Sequence, residues 1–440
     1  MEMGDADLTP LRAWLPRQRW FAGKGEPISS VELADRATLP GPGGAAWWLI
    51  EVRGAGGGVG LYQIPVTEQA GGVDWDGLAQ PAARRGWLEL LLAGARIPTD
   101  QGELRFEPLS QAPAGALEGG SRLGSAEQSN TSILYQDAGG APCWVLKLFR
   151  RVMPGENPEF EIPRALAAQG RFPQVPAPAG RVRYRGPAGE FTLATLQPFI
   201  ANRGDGWSYV LERLRQDADP PALRAEVAHW GRRTAEMHLA LAALPGPDFA
   251  PEPVTAADGE RWRARARAGL AADRLRPYAE LLSQWRARLD AWEGDTPAAG
   301  CAKVRIHGDY HLGQILVTED DIVIFDFEGE PARPIPERRQ KGSVLQDVAG
   351  MLRSFSYAAH AAGREGWEAG ARQGFLDAYR ATLAAAGRSG LPLVPAAPAD
   401  FDATLKFFEG EKAVYELGYE LAHRPDWVEV PLAGLRRLFG

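Results

Sequence analysis

The chain has 440 residues, of which 45% are hydrophobic and 24% are charged, and its formal net charge is -7. This length favours two or three domains, and the composition is ordinary for a globular enzyme. The net charge is negative, and the sequence has no basic tail and no basic patch that contains aromatic residues. These features argue against nucleic acid as a partner.

The sequence also lacks export and membrane signals. Residues Met1–Asp5 have neither the basic nor the apolar part of a signal peptide, and no apolar run is long enough to span a membrane. The two cysteines, Cys143 and Cys301, are far apart and have no metal-ligand spacing. We therefore expect reduced core cysteines in a cytoplasmic protein.

The first 110 residues show a small α+β pattern. Apolar runs at Ala46–Val52 and Leu61–Val66 predict strands, and the run Trp87–Leu92 predicts a helix. Glycine-rich turns such as Gly54–Gly60 separate them.

A hairpin is predicted next, with strands around Leu123 and at Ile133–Tyr135. Its turn contains Ser129, Asn130 and Thr131, whose backbone N–H groups and side chains can bind phosphates as a glycine-rich loop does. The same residue types are also common in ordinary turns.

Lysine is rare in this chain and occurs only at 24, 147, 303, 341, 406 and 412. Lys147 lies inside the apolar strand pattern Cys143–Phe149. A compact ammonium in a crowded strand suits contact with phosphate oxygens. The alternative is an edge-strand lysine that reaches solvent.

A helix is predicted from Asn157 to Leu166, with Pro163 in its first turn. Glu161 is the expected ion-pair partner of Lys147, because Ile162 and Leu166 place it beside the inward face. Glu159 is the alternative partner.

A buried strand at Phe191–Ile200 then leads into Ala201–Gly206, which has the composition of a hinge between two lobes. The backbone there could hold adenine, and Gln197 and Phe199 are its predicted nucleotide-binding residues. The second half of the chain has helical patterns at Leu223–Leu244, Gly259–Trp292, Val344–Ala362, Trp367–Ala386 and Phe401–His423.

The stretch Arg305–Gln314 contains the candidate catalytic residue and one candidate metal ligand. Asp309 follows the strand pattern Val304–Ile306 and a His-Gly turn, and Gln314 ends the same loop. Asp326 follows the next apolar strand. Phosphoryl transfer needs a group that accepts the proton of the attacking hydroxyl, here Asp309, and oxygen ligands for Mg²⁺, here Gln314 and Asp326.

Several nearby residues have structural alternatives. We expect His307 to brace the loop through the backbone rather than act as a base. Asp347 and Arg353, six apart on one helix, could also support the loop. Trp207 and Trp427 could stack on a sugar or fill the core, where tryptophan is more common.

The order of hairpin turn, strand lysine, helix glutamate, hinge, catalytic loop and metal aspartate resembles the protein-kinase-like fold, and in particular the aminoglycoside and choline kinase branch. That branch has asparagine where this chain has Gln314. The resemblance implies an α+β bilobal fold, ATP as phosphoryl donor and Mg²⁺.

Longer motifs resemble maltokinases and the kinase part of trehalose synthase/maltokinase fusions. These motifs are Trp14–Phe21, His307–Gln314, Asp326–Pro331, Glu337–Arg339, Asp347–Phe355, Glu411–Glu416 and Arg424–Trp427. The resemblance implies an N-terminal cap at residues 1–110, a kinase N-lobe with the nucleotide loop at 111–200, and a helical C-lobe with catalytic loop and sugar groove at 201–440.

The same resemblance implies transfer of phosphate from ATP to the anomeric hydroxyl of maltose, for α-glucan or glycogen synthesis, and possible association with trehalose synthase. Glucosamine or another sugar or aminoglycoside is the alternative acceptor, and a pseudokinase-like sugar-binding module is the non-enzyme alternative. The expected sugar contacts are Tyr310, His311, Arg353, Glu411, Lys412 and Tyr415. The last three lie on a helix that also presents Glu416 and Tyr419.

Overall fold

A computed structural model describes residues 8–23, 25–41, 44–69, 72–110, 118–124, 129–216, 220–291, 298–331, 333–387 and 390–439. The chain divides into two compact units. Unit 1 consists of Met1–Arg164, Pro176–Phe199 and Pro331–Arg338, and unit 2 consists of Ala165–Val175, Ile200–Glu330 and Arg339–Gly440. The predicted boundary near residue 110 adjoins residues 111–117, which lie outside the described residues.

Unit 1 is built mainly from two antiparallel sheets. Its strands are β1 (Ile28–Thr38), β2 (Ala45–Gly54), β3 (Val59–Gln69), β4 (Gly72–Asp74), β5 (Arg96–Pro98), β6 (Glu103–Pro108), β7 (Ser121–Leu123), β8 (Thr131–Gln136), β9 (Pro142–Leu148), β10 (Arg151–Val152), β11 (Gly180–Gly186) and β12 (Gly189–Pro198). The first sheet has the order β1-β2-β3-β10, with β4 on β3. The second has the order β5-β6-β11-β12-β9-β8-β7.

Strand β2 explains why the N-terminal apolar runs are continuous rather than alternating. Trp47 and Leu49 pack into a core shared with the second sheet. Trp48 and Ile50 point to the opposite face and pack into a separate core with the N-terminal segment. Because successive side chains of a strand face opposite sides, a sheet covered on both faces needs apolar residues at every position.

The predicted strands at Ala46–Val52 and Leu61–Val66 and the helix at Trp87–Leu92 all form. Strand β1 was not predicted, because it contains Ser, Glu, Asp and Arg and alternates between buried and exposed positions. One of its polar residues, Asp35, is nevertheless buried. Its carboxylate accepts hydrogen bonds from Thr99 Oγ1 and Tyr184 Oη, each at 2.6 Å.

The helices are α1 (Thr9–Trp14), α2 (Pro81–Leu92), α3 (Pro158–Gln169), α4 (Gly206–Arg215), α5 (Pro220–Ala242), α6 (Ala256–Leu270), α7 (Ala279–Ala291), α8 (Ile335–Arg338), α9 (Leu345–Ala362), α10 (Glu365–Ala385), α11 (Pro398–His423) and α12 (Glu429–Phe439). Unit 2 also contains β13 (Glu252–Pro253), β14 (Ala302–Lys303), β15 (Ile315–Val317) and β16 (Ile322–Ile324). The α+β class is therefore confirmed.

Two helix predictions need correction. The single helix predicted at Gly259–Trp292 is wrong, because α6 ends at Leu270 and a 3-10 turn containing Pro277 precedes α7; Trp292 lies outside the described residues. Helix α3 begins at Pro158, so Pro163 lies inside the helix and not in its first turn.

Across the described residues, no helix is both long and apolar enough to cross a membrane. Both cysteines have free thiols, with Cys301 buried and Cys143 half-buried.

Candidate active site

Lys147 is held at the centre of the second sheet of unit 1. On β9 it lies opposite Ser132 of β8 and Thr195 of β12. Its side chain is buried, and Nζ lies 3.7 Å from Oε1 of the buried Glu159. A lysine between two paired strands is not an edge residue, so the alternative of an edge-strand lysine is wrong.

The structure favours Glu159, the alternative partner, over Glu161 for this ion pair. Glu159 shares the buried face of α3 with Ile162, Pro163 and Leu166, at positions i, i+3, i+4 and i+7. Glu161 is only half-buried. Helical periodicity therefore indicated Glu159, whereas adjacency in the sequence to Ile162 had favoured Glu161.

The predicted phosphate-binding turn is only partly described, since residues 125–128 lie outside the described residues. Strands β7 and β8 form the predicted hairpin, with Leu123 opposite Ile133. Asn130 is buried and Ser129 is exposed. The Thr131 hydroxyl accepts a hydrogen bond from Arg150 Nε at 2.7 Å.

The predicted adenine-binding residues lie at the end of β12. Gln197 pairs with Val145, and the Phe199 N–H donates to the Cys143 carbonyl at 2.9 Å. Both Gln197 and Phe199 are half-buried. The backbone N–H of Phe199 is thus used within unit 1, and a nucleotide role for this segment stays a prediction.

The loop that carries Asp309 in unit 2 is fixed by a buried carboxylate on α9. Asp347 accepts hydrogen bonds from the backbone N–H groups of His307, at 2.8 Å, and Gly308, at 2.9 Å. Gly308 has φ +84°, a conformation that side chains rarely adopt. These contacts support the predicted bracing role of Asp347.

Two histidines extend this bracing. The ring of the buried His307 bonds through Nε2 to the Phe325 carbonyl at 2.9 Å, next to Asp326. His238, which the sequence analysis missed, lies 3.1 Å from Asp347 through Nε2 and 2.8 Å from Tyr379 Oη through Nδ1. Nothing in the sequence near His238 marks it, because its partners are 109 and 141 residues away.

Asp309 faces a lysine from α11. Lys412 Nζ lies 3.2 Å from Asp309 Oδ1. Burial disfavours ionisation of Asp309, but the charges of Lys412 and His311 outweigh burial and hold its pKa below the ordinary value. Burial likewise disfavours the ammonium, yet the carboxylates of Asp309, Glu416 and Glu330 raise the pKa of Lys412. Both groups are therefore charged near neutral pH.

Gln314 and Asp326 lie at the same end of a short hairpin. Ile315 of β15 pairs with Ile324 of β16, and the Phe325 N–H donates to the Gln314 carbonyl at 3.1 Å. Asp326 has φ +66°, one of two non-glycine residues with positive φ in the described part of the chain. Strained backbone of this kind is concentrated at functional sites.

These two residues fit a magnesium ion by the chemistry of their donors. A carboxylate and an amide oxygen are hard ligands, and Mg²⁺ is usually bound through one or two carboxylates together with substrate phosphates and water. Among the described residues, no group of three or more His, Cys, Asp or Glu side chains is arranged to hold a metal ion.

The predicted sugar contacts separate into two groups. Asp309 interacts electrostatically with Lys412, Tyr415 and His311. His311 Nδ1 also accepts a hydrogen bond from the Gly313 N–H at 3.0 Å. Burial lowers the pKa of His311, against the opposing effect of the Asp309 carboxylate. Glu411 is largely buried and forms an ion pair with Arg265.

Two predicted contacts face the core. Tyr310 is buried, and its hydroxyl bonds to Thr234 Oγ1 at 2.9 Å. Arg353 is buried and pairs with Glu416 at 2.7 Å, which supports the structural alternative given for it above. These placements contradict the prediction that Tyr310 and Arg353 contact a sugar.

The remaining residues singled out from the sequence have mixed surroundings. Trp427 is half-buried and stacks on Tyr357, with ring centroids 6.0 Å apart. Trp207 is also half-buried. Glu330, which raises the pKa of Lys412 and of Tyr415, was missed although it lies within the quoted motif Asp326–Pro331.

Comparisons with known proteins agree with this arrangement. Residues 122–387 match the phosphotransferase enzyme family, and residues 14–91 match the maltokinase N-terminal cap domain. A glucosamine kinase of Streptacidiphilus jiangxiensis is 30% identical, covering 69% of this chain and 70% of that protein. A glucosamine kinase of Mycolicibacterium smegmatis is also 30% identical, covering 72% and 79%.

Among solved structures, a glucosamine kinase in complex with glucosamine, ADP and inorganic phosphate has a TM-score of 0.63 and 27% identity, with 94% of each chain covered. The predicted protein-kinase-like fold of the aminoglycoside and choline kinase type is thereby confirmed. The chain belongs to the phosphotransferase enzyme family, carries a maltokinase-type N-terminal cap, and is an ATP-dependent sugar kinase that phosphorylates a hydroxyl group.

Proposed function

We propose that the protein phosphorylates the anomeric hydroxyl of maltose and releases maltose 1-phosphate and ADP. The observation that carries this choice is the ion pair of Lys412 with Asp309, at 3.2 Å, which puts a fixed positive charge beside the catalytic carboxylate. A neutral sugar can replace part of this contact with hydroxyl groups. The maltokinase-type cap at residues 14–91 supports the same choice.

Asp309 acts on the acceptor. It accepts a hydrogen bond from the C1 hydroxyl and takes its proton as the oxygen forms a bond to the γ-phosphorus and the bond to the ADP oxygen breaks. A carboxylate with a lowered pKa is a weak base, which suits a loose transition state in which the proton leaves late. Its main contribution is to orient the hydroxyl.

Several residues are proposed to balance the negative charge of the nucleotide. Lys147, kept in place by Glu159, supplies an ammonium for phosphate oxygens. Gln314 and Asp326 would hold Mg²⁺, which when bound neutralises phosphate charge. Ser129, Asn130 and Thr131 at the hairpin turn are the proposed phosphate contacts, and Gln197 and Phe199 are the proposed neighbours of adenine.

Glucosamine is the second candidate acceptor, because the curated relatives that are 30% identical are glucosamine kinases. An ammonium group bound close to Lys412 would be unfavourable, because like charges at close range in a partly desolvated site repel each other. Family membership argues against the alternative of a pseudokinase-like sugar-binding module.

The deciding experiment measures ADP release with maltose, glucosamine, glucose and an aminoglycoside under identical conditions. We expect the highest kcat/KM with maltose and identification of the product as maltose 1-phosphate. A kcat/KM for glucosamine equal to or above that for maltose would overturn the proposed acceptor while leaving the kinase assignment intact. A maltose product phosphorylated elsewhere than C1 would overturn the proposed position.

The maltokinase resemblance supports further proposals. The product would supply α-glucan or glycogen synthesis, in the cytoplasm, and trehalose synthase would be the associated enzyme. Co-purification of the two proteins, followed by size-exclusion chromatography at micromolar concentration, tests the association.

A further inference from the structure

The hairpin of β15 and β16 carries both candidate metal ligands. The two strands form a two-stranded sheet with three residue pairs. Gln314 directly precedes β15, and Asp326 follows β16 by two residues. Because a two-stranded hairpin by itself is only marginally stable in water, the positions of Gln314 and Asp326 depend on what anchors this hairpin to its surroundings.

Asp321 lies at the opposite end of the hairpin, in the turn before β16. The turn is fixed locally, since the Asp321 N–H donates a hydrogen bond to Thr318 Oγ1 at 3.1 Å. Oδ1 of Asp321 also accepts a hydrogen bond from the Ile322 N–H at 2.8 Å. The same carboxylate then reaches beyond the hairpin.

Arg233 of α5 binds the Asp321 carboxylate with two nitrogens. Its Nε donates to Oδ1 at 2.8 Å, and its Nη2 donates to Oδ2 at 2.6 Å. A paired contact of this kind fixes orientation as well as distance. The third nitrogen of Arg233, Nη1, donates to Glu236 at 2.6 Å, so the guanidinium is itself held in place.

Two further residues complete the anchor. His229, four residues before Arg233 and on the same face of α5, has Nε2 2.8 Å from Asp321 Oδ1. Gln174 donates from Nε2 to Asp321 Oδ2 at 3.2 Å, and its carbonyl accepts a hydrogen bond from the Ile324 N–H at 2.8 Å. Gln174 therefore holds β16 at both of its ends. We call Asp321, Arg233, His229 and Gln174 the hairpin clasp.

The Asp321 carboxylate is ionised near neutral pH. Burial opposes its ionisation, but the hydrogen bonds from Arg233 and His229 outweigh burial and hold its pKa below the ordinary value. The side chains of Arg233 and Asp321 are 24% and 23% exposed. A single ion pair with this exposure contributes little to stability. Several bonds to one carboxylate do, however, fix the direction of the hairpin.

We propose that the hairpin clasp positions the metal ligands. By fixing the turn of the hairpin, it sets where Gln314 and Asp326 present their oxygens, so its loss weakens metal binding more than it weakens the fold. The inference rests on the metal roles given to Gln314 and Asp326 in the proposed function. The clasp residues are positioning residues, because they act through these two ligands.

Metal binding by the Asp321→Ala variant tests the clasp. Residues that orient metal ligands typically change metal affinity by about 10- to 100-fold when they are removed. We expect the dissociation constant of Mn²⁺, titrated in the presence of ADP and followed by electron paramagnetic resonance, to rise about tenfold. The Mg²⁺ concentration that gives half-maximal turnover should rise by a similar factor, while the KM for the sugar stays within about twofold of wild type.

Glu226→Gln is the matched control. Glu226 also lies on α5 and is half-buried, and it binds Tyr209 Oη at 2.8 Å and Arg213 Nη1 at 3.1 Å. We expect similar losses of stability in urea unfolding for Glu226→Gln and Asp321→Ala, but Mn²⁺ binding within about twofold of wild type in Glu226→Gln. Arg233→Lys keeps the charge and loses the paired contact, so its Mn²⁺ dissociation constant should rise about threefold.

The outcomes separate the clasp from the metal site itself. A Mn²⁺ dissociation constant that changes no more in Asp321→Ala than in Glu226→Gln would overturn the clasp. If Asp321→Ala does not fold, Arg233→Lys is compared with Glu226→Gln in the same way. Unchanged Mn²⁺ binding in Asp326→Ala would remove the metal role on which the inference rests, whereas weaker binding in Asp326→Ala alone would overturn only the clasp.

Discussion

The two units each use a rare lysine in an ion pair, and the pairs differ in how they are held. Lys147 and Glu159 in unit 1 are 3.7 Å apart, with side chains 6% and 2% exposed. Lys412 and Asp309 in unit 2 are 3.2 Å apart, with side chains 33% and 25% exposed. The first pair is part of a sheet core, whereas the second faces solvent.

We call the buried pair of Lys147 and Glu159 the fixed pair and the half-exposed pair of Lys412 and Asp309 the exchangeable pair. Breaking a buried pair leaves an uncompensated charge in the core, so Lys147 and Glu159 must remain together for the fold. A half-exposed pair has little net energy and can be replaced by contacts to a ligand. Lys412 can therefore hold Asp309 before the acceptor binds and yield part of that contact to an incoming hydroxyl.

The largest expected effect comes from removing the carboxylate of the exchangeable pair. Asp309→Ala should lower kcat by about a thousandfold, because a positioned proton acceptor contributes about 10²- to 10⁴-fold. Nucleotide binding, measured by calorimetry with the Mg²⁺ complex of ADP, should stay within about twofold of wild type. Retention of turnover within tenfold of wild type would remove Asp309 from its role.

Asp326→Ala is the matched change at the other carboxylate of the site. Here we expect weaker binding of the Mg²⁺–nucleotide complex, together with the loss of turnover. Unchanged affinity would contradict the metal role of Asp326.

The next effect concerns stability and tests the fixed pair. Glu159→Gln should lower the free energy of unfolding of the protein by about 3 kcal/mol, since one charge of a buried ion pair would be removed. Glu161→Gln, on the same helix but half-buried, should change it by less than about 0.5 kcal/mol. Urea unfolding followed by circular dichroism compares the two. Equal losses would mean that Glu161 shares the role assigned to Glu159.

A third lysine pair provides a control in unit 2. Lys303 Nζ lies 2.9 Å from both carboxylate oxygens of the buried Asp258, which also caps α6 through Thr255. Asp258→Asn should cost about 2 kcal/mol of stability, because a buried pair and a cap are lost together. It should leave kcat and KM unchanged, in contrast to substitutions at Asp309.

Sequence patterns predicted the parts of the site that depend on local structure. The strand around Lys147, the hairpin after Leu123 and the His-Gly turn before Asp309 are all determined by nearby residues, and the structure contains each of them. Glu159 was recoverable as well, because its spacing from Ile162 and Leu166 is helical. Glu161 was predicted because it is next to Ile162 in the sequence, and the helical spacing of Glu159 was given less weight.

What the sequence could not show depends on distant contacts. Tyr310 follows Asp309, but a tight loop turns successive side chains apart, and Tyr310 reaches Thr234 in the core. Arg353 and Glu416 meet only because α9 packs on α11. The ion pair of Lys412 with Asp309 joins residues 103 positions apart, and no local pattern encodes it.

The smallest effect is expected from the lysine of the exchangeable pair, and it is read from a pH profile. Lys412 helps to hold the pKa of Asp309 below its ordinary value, against the opposing effect of burial. A lowered pKa keeps the carboxylate ionised as the pH falls, so removal of the ammonium raises that pKa. In Lys412→Met the acid limb of kcat/KM should therefore move to higher pH. Lys406→Met, at an exposed position six residues earlier on α11, is the control and should show the wild-type profile. An acid limb that stays in place while KM alone rises would show that Lys412 only binds the acceptor and does not act through Asp309.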